Sequence, residues 1–177
     1  MKKEKVIEYL KKYRLFLPFG IYLILQFLTL GVEKITFSVL RSLPQMVLLW
    51  LGILSALLLF LGLGKMFCEW GCKRQLHVFS IVKKIWCVLV GIFSVGVILI
   101  ALFFSVFQYR QEHIVVHNGV RMVASVNSFL QETVSYYEYK NIFFRGSEMI
   151  GYEDYGNGGR EPLEDGNREP VRQYFNE

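Results

Sequence analysis

Three stretches of this chain carry no Asp, Glu, Lys, Arg or His: Leu15 to Val32, Met46 to Gly64 and Ile85 to Phe107, of 18, 19 and 23 residues. A helix rises about 1.5 Å per residue and the hydrocarbon core of a bilayer is about 30 Å thick, so each stretch is long enough to cross one. The rest of the composition agrees. Of the 177 residues 53% are apolar, with a mean hydropathy of +0.34, more than a soluble domain of this size usually hides from water. The expectation is an all-α membrane region of three transmembrane helices over residues 15–108, preceded by a basic amphipathic segment, residues 1–14, and followed by a tail from Tyr109.

The net charge of +5 is unevenly spread. Residues 1–108 hold 13 Lys or Arg against 4 acids, net +9, whereas residues 109–177 hold 7 against 11, net −4. The basic residues gather before the first span (Lys2, Lys3, Lys5, Lys11, Lys12, Arg14) and between the second and third (Lys65, Lys73, Arg74, Lys83, Lys84), while the segment between the first two spans has only Lys34 and Arg41. That alternation follows the positive-inside rule for a multi-pass plasma-membrane protein with a cytoplasmic N-terminus and an extracytoplasmic C-terminus. The basicity reports topology and predicts no nucleic-acid partner, because no soluble face interleaves basic and aromatic residues. The first span is predicted to be retained: its exit, Leu30-Gly31-Val32-Glu33-Lys34, has no small-x-small cleavage pattern.

Glu33 to Gln45 reads as a short outer connection, with Pro44 suited to the first turn of the next helix. Gly52 and Ala56 in the second span, and Gly91, Ser94, Gly96 and Ala101 in the third, are small residues that permit close helix contact. The tail changes period. Ile114 to His117 and Val120 to Val126 flank Asn118-Gly119, a pair that suits the two positive-φ positions of a type I′ hairpin turn. Thr133 to Tyr139, Asn141 to Phe144 and Glu148 to Tyr155 supply further strands, with a turn expected around Arg145-Gly146-Ser147. Residues 109–155 are therefore expected to form a small antiparallel β-rich extracytoplasmic domain, α+β overall. Residues 156–177, rich in Gly, Asn, Pro and charge, are expected to be a flexible tail.

The inner connection carries the most specific candidate for chemistry. In a helix, Cys68 and Cys72 lie one turn apart on one face, where two thiolates can share a metal or form a redox pair. His77 follows five residues later, and Cys87 returns to about the same depth in the third span, so these four residues are the candidate metal ligands. The run Gly64-Lys65-Met66-Phe67-Cys68-Glu69-Trp70-Gly71-Cys72 is similar to the Cys-x-Trp-x-Cys-Pro segment of membrane-bound polyferredoxins. The likeness covers Cys68, Trp70 and Cys72, with Lys73 where that family has proline. No cofactor is expected; the alternative, which this resemblance implies, is an iron–sulfur cluster or zinc at Cys68 and Cys72.

The tail run Tyr136-Tyr137-Glu138-Tyr139-Lys140-Asn141, with Gly151-Tyr152-Glu153-Asp154-Tyr155-Gly156-Asn157-Gly158-Gly159, resembles a segment of small, uncharacterised membrane proteins of the Gram-positive type. That resemblance implies a shared extracytoplasmic module and no activity. Tyr136, Tyr137, Tyr139, Phe143, Phe144, Tyr152 and Tyr155 supply more aromatic area than a thin sheet buries, so they are the candidate partner-binding residues. No nucleophile elbow, phosphate-binding glycine loop or zinc-protease helix is present. The functional expectation is a non-enzymatic accessory or interaction module in the lipid bilayer, presenting its outer domain to a membrane or cell-surface protein. The alternative is a redox or metal-linked membrane protein that uses Cys68 and Cys72.

Overall fold

The computed structural model describes residues 14–72, 78–117, 119–128, 131–157, 163 and 168–175, with backbone alone at 70–72 and 78–80. Three helices come first: α1 (Leu17–Thr36), α2 (Ser42–Cys72) and α3 (Val78–Gln108). All three are long and apolar enough to cross a membrane, and between 0% and 11% of each candidate span is buried within the protein. Side chains that find no protein partner along an apolar helix are what a hydrocarbon solvent leaves exposed. The helices outrun the uncharged stretches. At 31 residues each, α2 and α3 are about 46 Å long, because the Lys and Glu residues flanking the apolar segments are themselves good helix formers.

The chain divides into two compact units, residues 1–27 with 47–104, and residues 28–46 with 105–177. In the first, glycines accommodate aromatic rings: a Cβ added at Gly52 meets the Tyr22 ring at 2.8 Å, one at Gly62 meets Phe16 at 3.2 Å, and one at Gly64 overlaps Trp86. Gly91 and Gly96 have nothing within 4 Å, so these two glycines of α3 do not mark a close contact, whereas Ala101 is buried.

The second unit is a six-stranded antiparallel sheet curved into a half-barrel. Its strands are β1 (Ser38–Leu40), β2 (Gln111–His117), β3 (Val120–Asn127), β4 (Glu132–Tyr139), β5 (Phe144–Gly156) and β6 (Arg172–Phe175). The order is β1-β5-β4-β3-β2, and β6 pairs with the C-terminal half of β5 on the edge that β1 occupies at its N-terminal half. The expected hairpin is present: β2 and β3 are joined by two residues, and Gly119 has φ +80°.

Three expectations are corrected. The connection 33–45 is more than a loop, since Ser38–Leu40 becomes an edge strand, held by the Leu40 amide donating to Glu33 Oε1 at 2.9 Å. The turn between β4 and β5 falls at 140–143, earlier than Arg145-Gly146-Ser147, because the Asn141 carboxamide accepts the amides of Phe143 and Phe144, each at 2.8 Å. Asn141 to Phe143 is thereby turn, and Arg145 to Ser147 is strand. Finally, part of the expected flexible tail is ordered as β6.

Strand alternation gives the sheet two distinct faces. On one, Ala124, Val126, Val134 and Tyr136 form the core, with Val115, Met122, Ile150, Tyr155, Leu163 and Phe175 packed on it. On the other, Val123 and Ser125 are also buried, in register with Tyr137 and Ser135 of β4.

Candidate functional site

The seven aromatic residues read as a partner surface do not share a face. Tyr136 is buried in the core, and Tyr155 packs beside it. Both hydroxyls donate to Oε2 of Glu153, at 2.5 Å and 2.8 Å. Tyr137 points to the opposite face, where the Arg145 guanidinium lies 3.7 Å above its ring centroid. Tyr139 and Tyr152 are half-buried, as is Phe144, while Phe143 is 59% exposed. Adjacent residues of a strand point to opposite sides, so the run Tyr136-Tyr137 is split by the period of two.

Burial, and then the hydrogen bond and negative charge of Glu153, push the Tyr136 hydroxyl well above its ordinary pKa. The same causes in the same order push Tyr155 up to about 12. A hydroxyl harder to ionise in the folded state stabilises the fold fully below pH 10, and that contribution is lost as the pH climbs from 10 through about 12. Tyrosinate absorbance should register this. The difference between the wild-type titration and that of Tyr155→Phe is expected to show its step near pH 12, and a step at pH 10 contradicts the contact with Glu153.

The core face also buries a charge. Glu132 is fully buried, with Oε2 bonded to Nη1 of Arg168 at 2.5 Å, and Oε1 has no partner among the described residues. Phe175 closes this face: its ring stacks on His117 at 4.7 Å, with 5° between planes, and lies 5.2 Å from Tyr136.

The opposite face carries a buried ionic node that joins segments far apart in sequence. Glu112 Oε2 accepts from Arg41 Nε at 2.7 Å, and its Oε1 accepts the Ser42 amide at 3.0 Å and lies 3.9 Å from Arg145 Nε. The side chains of Glu112, Arg41 and Arg145 are 6%, 12% and 14% exposed. The carboxylate thus sits at the N-terminal end of α2, where the helix dipole favours negative charge, and it fastens the 28–46 segment to β2. Nothing in the sequence marks this node, since Arg41 and Glu112 are 71 residues apart.

The cysteine candidates lie in the other unit. The α2 helix runs unbroken through Cys72, which puts the Cys68 and Cys72 backbones one turn apart; the side chain of Cys72 and all of His77 lie outside the described residues. Cys68 is buried and Cys87 is exposed on α3. Cys68 lines an apolar groove of about 680 Å³ together with Phe60, Phe67, Val82 and Trp86. Among the described residues no group of three or more His, Cys, Asp or Glu side chains is placed to hold a metal ion.

No protein-family model, curated protein or solved structure matches the chain, so the geometry above is the evidence from which a function is argued.

Proposed function

We propose that the chain is a non-enzymatic, membrane-anchored interaction module whose β unit engages a protein partner on the outer side of the plasma membrane. The three apolar helices hold it in the bilayer as a multi-pass protein, and the Lys-rich ends keep residues 1–14 and the 73–84 region on the cytoplasmic side. The observation that supports the reading most is the state of β2. No strand pairs its outer edge among the described residues, and Ile114 and Val116, on one side of it, are 54% and 66% exposed. An open, apolar edge strand is normally blunted by charge or covered, because it offers its amides and carbonyls to any extended chain. A partner strand added to β2 meets that need.

The test is site-specific photocrosslinking in living cells. A photoreactive residue at Val116 or Ile114 is expected to give one discrete adduct, and the same probe at Glu138, exposed on β4, to give none. Equal labelling at all three positions, or labelling by lipid alone, rejects the module reading.

A further inference from the structure

Glu112 is outnumbered. Its two oxygens are taken by Arg41, by the Ser42 amide and, at longer range, by Arg145, so its single negative charge faces two buried guanidinium groups. Arg145 has Nε and one terminal nitrogen buried without a hydrogen-bond partner among the described residues, and its charge is offset by the shared Glu112 at 3.9 Å and the Tyr137 ring above its plane. Arg41 donates only its Nε. Its terminal nitrogens make no hydrogen bond among the described residues and are not sealed from the surface. A third cation, Arg110, forms no ion pair among the described residues, while its amide reaches Ser42 Oγ at 3.3 Å. Buried charge without a counter-charge is costly, and the buried groups carry an excess of one positive charge, with exposed Arg110 adding a second beside them.

A cavity of about 280 Å³ opens beside this node, lined by Arg41, Ser42, Arg110 and Glu112 on its polar side. Its remaining wall includes Leu43, Ile142 and Phe143, which are 62%, 70% and 59% exposed. A site for a free inorganic anion has no use for such a wall. The cavity also lies at the membrane ends of two candidate spans, since Ser42 is the first residue of one and Gln108, two residues before Arg110, the last of another. We propose that it binds the phosphate of a phospholipid headgroup. The phosphodiester accepts from the free edge of Arg41, from Arg110 and from the Ser42 hydroxyl, and Leu43, Ile142 and Phe143 contact the glycerol and the upper acyl chain. Arginine suits this task because its planar fork donates two parallel bonds to phosphate oxygens.

The experiment uses the full-length protein, purified in detergent and stripped of lipid, with binding measured by calorimetry for three probes. Dihexanoyl phosphatidylglycerol is expected to bind saturably, dihexanoylglycerol, which lacks the phosphate, not to bind, and inorganic phosphate to bind at least tenfold more weakly than the lipid. Arg110→Gln removes one charge-assisted contact and is expected to weaken the lipid about tenfold. Arg110 is exposed and unpaired among the described residues, so this variant should melt like the wild type, and Arg121→Gln, on the exposed part of β3, should bind like it. Arg41→Lys, which keeps the charge beside Glu112, is expected to fold and to lose affinity through the missing fork. Failure of the wild type to bind the lipid overturns the proposal, as does an Arg110→Gln variant that binds it undiminished. Inorganic phosphate binding as tightly as the lipid overturns the lipid assignment.

Discussion

Glu112→Ala is expected to destabilise the β unit by about 3–5 kcal/mol, the range for breaking a buried ion pair from one side. The loss is large because three groups depend on one carboxylate. Arg41 and Arg145, 12% and 14% exposed, would face each other as like charges, and the Ser42 amide at the start of α2 would lose its acceptor. Against a stability of about 5–15 kcal/mol for an ordinary domain, that is a substantial share. Glu112→Gln keeps an acceptor for Ser42 and is expected to cost less than alanine, since it forfeits charge while keeping shape. Thermal unfolding followed by circular dichroism in detergent, with limited proteolysis across the 28–46 connection, measures both. A Glu112→Ala protein that melts within a degree of the wild type would show that the node does not hold the segments together.

Gly151→Val is expected to cost about 3 kcal/mol, through the other face of the sheet. Gly151 lies opposite Phe175 in the β5–β6 pairing, and the Phe175 ring occupies the space a Cβ at Gly151 would need. The ring cannot readily yield, being stacked on His117 at 4.7 Å on one side and against Tyr136 at 5.2 Å on another. The added side chain therefore expels Phe175, and with it the four-residue pairing of β6. Phe175→Ala should cost a similar amount. The two should not add: once Phe175 is alanine, Gly151→Val has little left to displace, and a double-mutant cycle reads the coupling directly. Simple additivity contradicts the packing described.

The parts of this architecture that were legible in the sequence are those specified by neighbours in the chain. Uninterrupted apolar runs announce α1 to α3, and Asn118-Gly119 between β-branched residues announces the β2–β3 hairpin. The parts that were not legible are specified at a distance. Three residues, Ser38 to Leu40, have too little pattern to declare a strand, and their partners, Phe144 to Gly146, lie more than a hundred positions later. Likewise Arg172 to Phe175 follows a stretch without periodicity and is drawn into the sheet by the space at Gly151. The two faces of the aromatic run were available in principle, since Tyr136 and Tyr137 must diverge in any strand. Which of them met the core, and which met Arg145, depended on contacts across the sheet. The arginine cavity needed the fold entirely, because Arg41, Arg110 and Phe143 come from three separate segments.

We propose that the apolar helices cross the bilayer and leave the β unit, with both chain segments that build it, on the outer side. Labelling of intact cells with a membrane-impermeant maleimide tests it most directly, in a background where Cys68, Cys72 and Cys87 are serine. Phe37→Cys and Lys140→Cys, from the two segments of the unit and both exposed, are expected to react without permeabilisation, and Lys84→Cys only after it. Protection of residue 140 until the cells are opened, with residue 84 reactive from outside, would contradict the account.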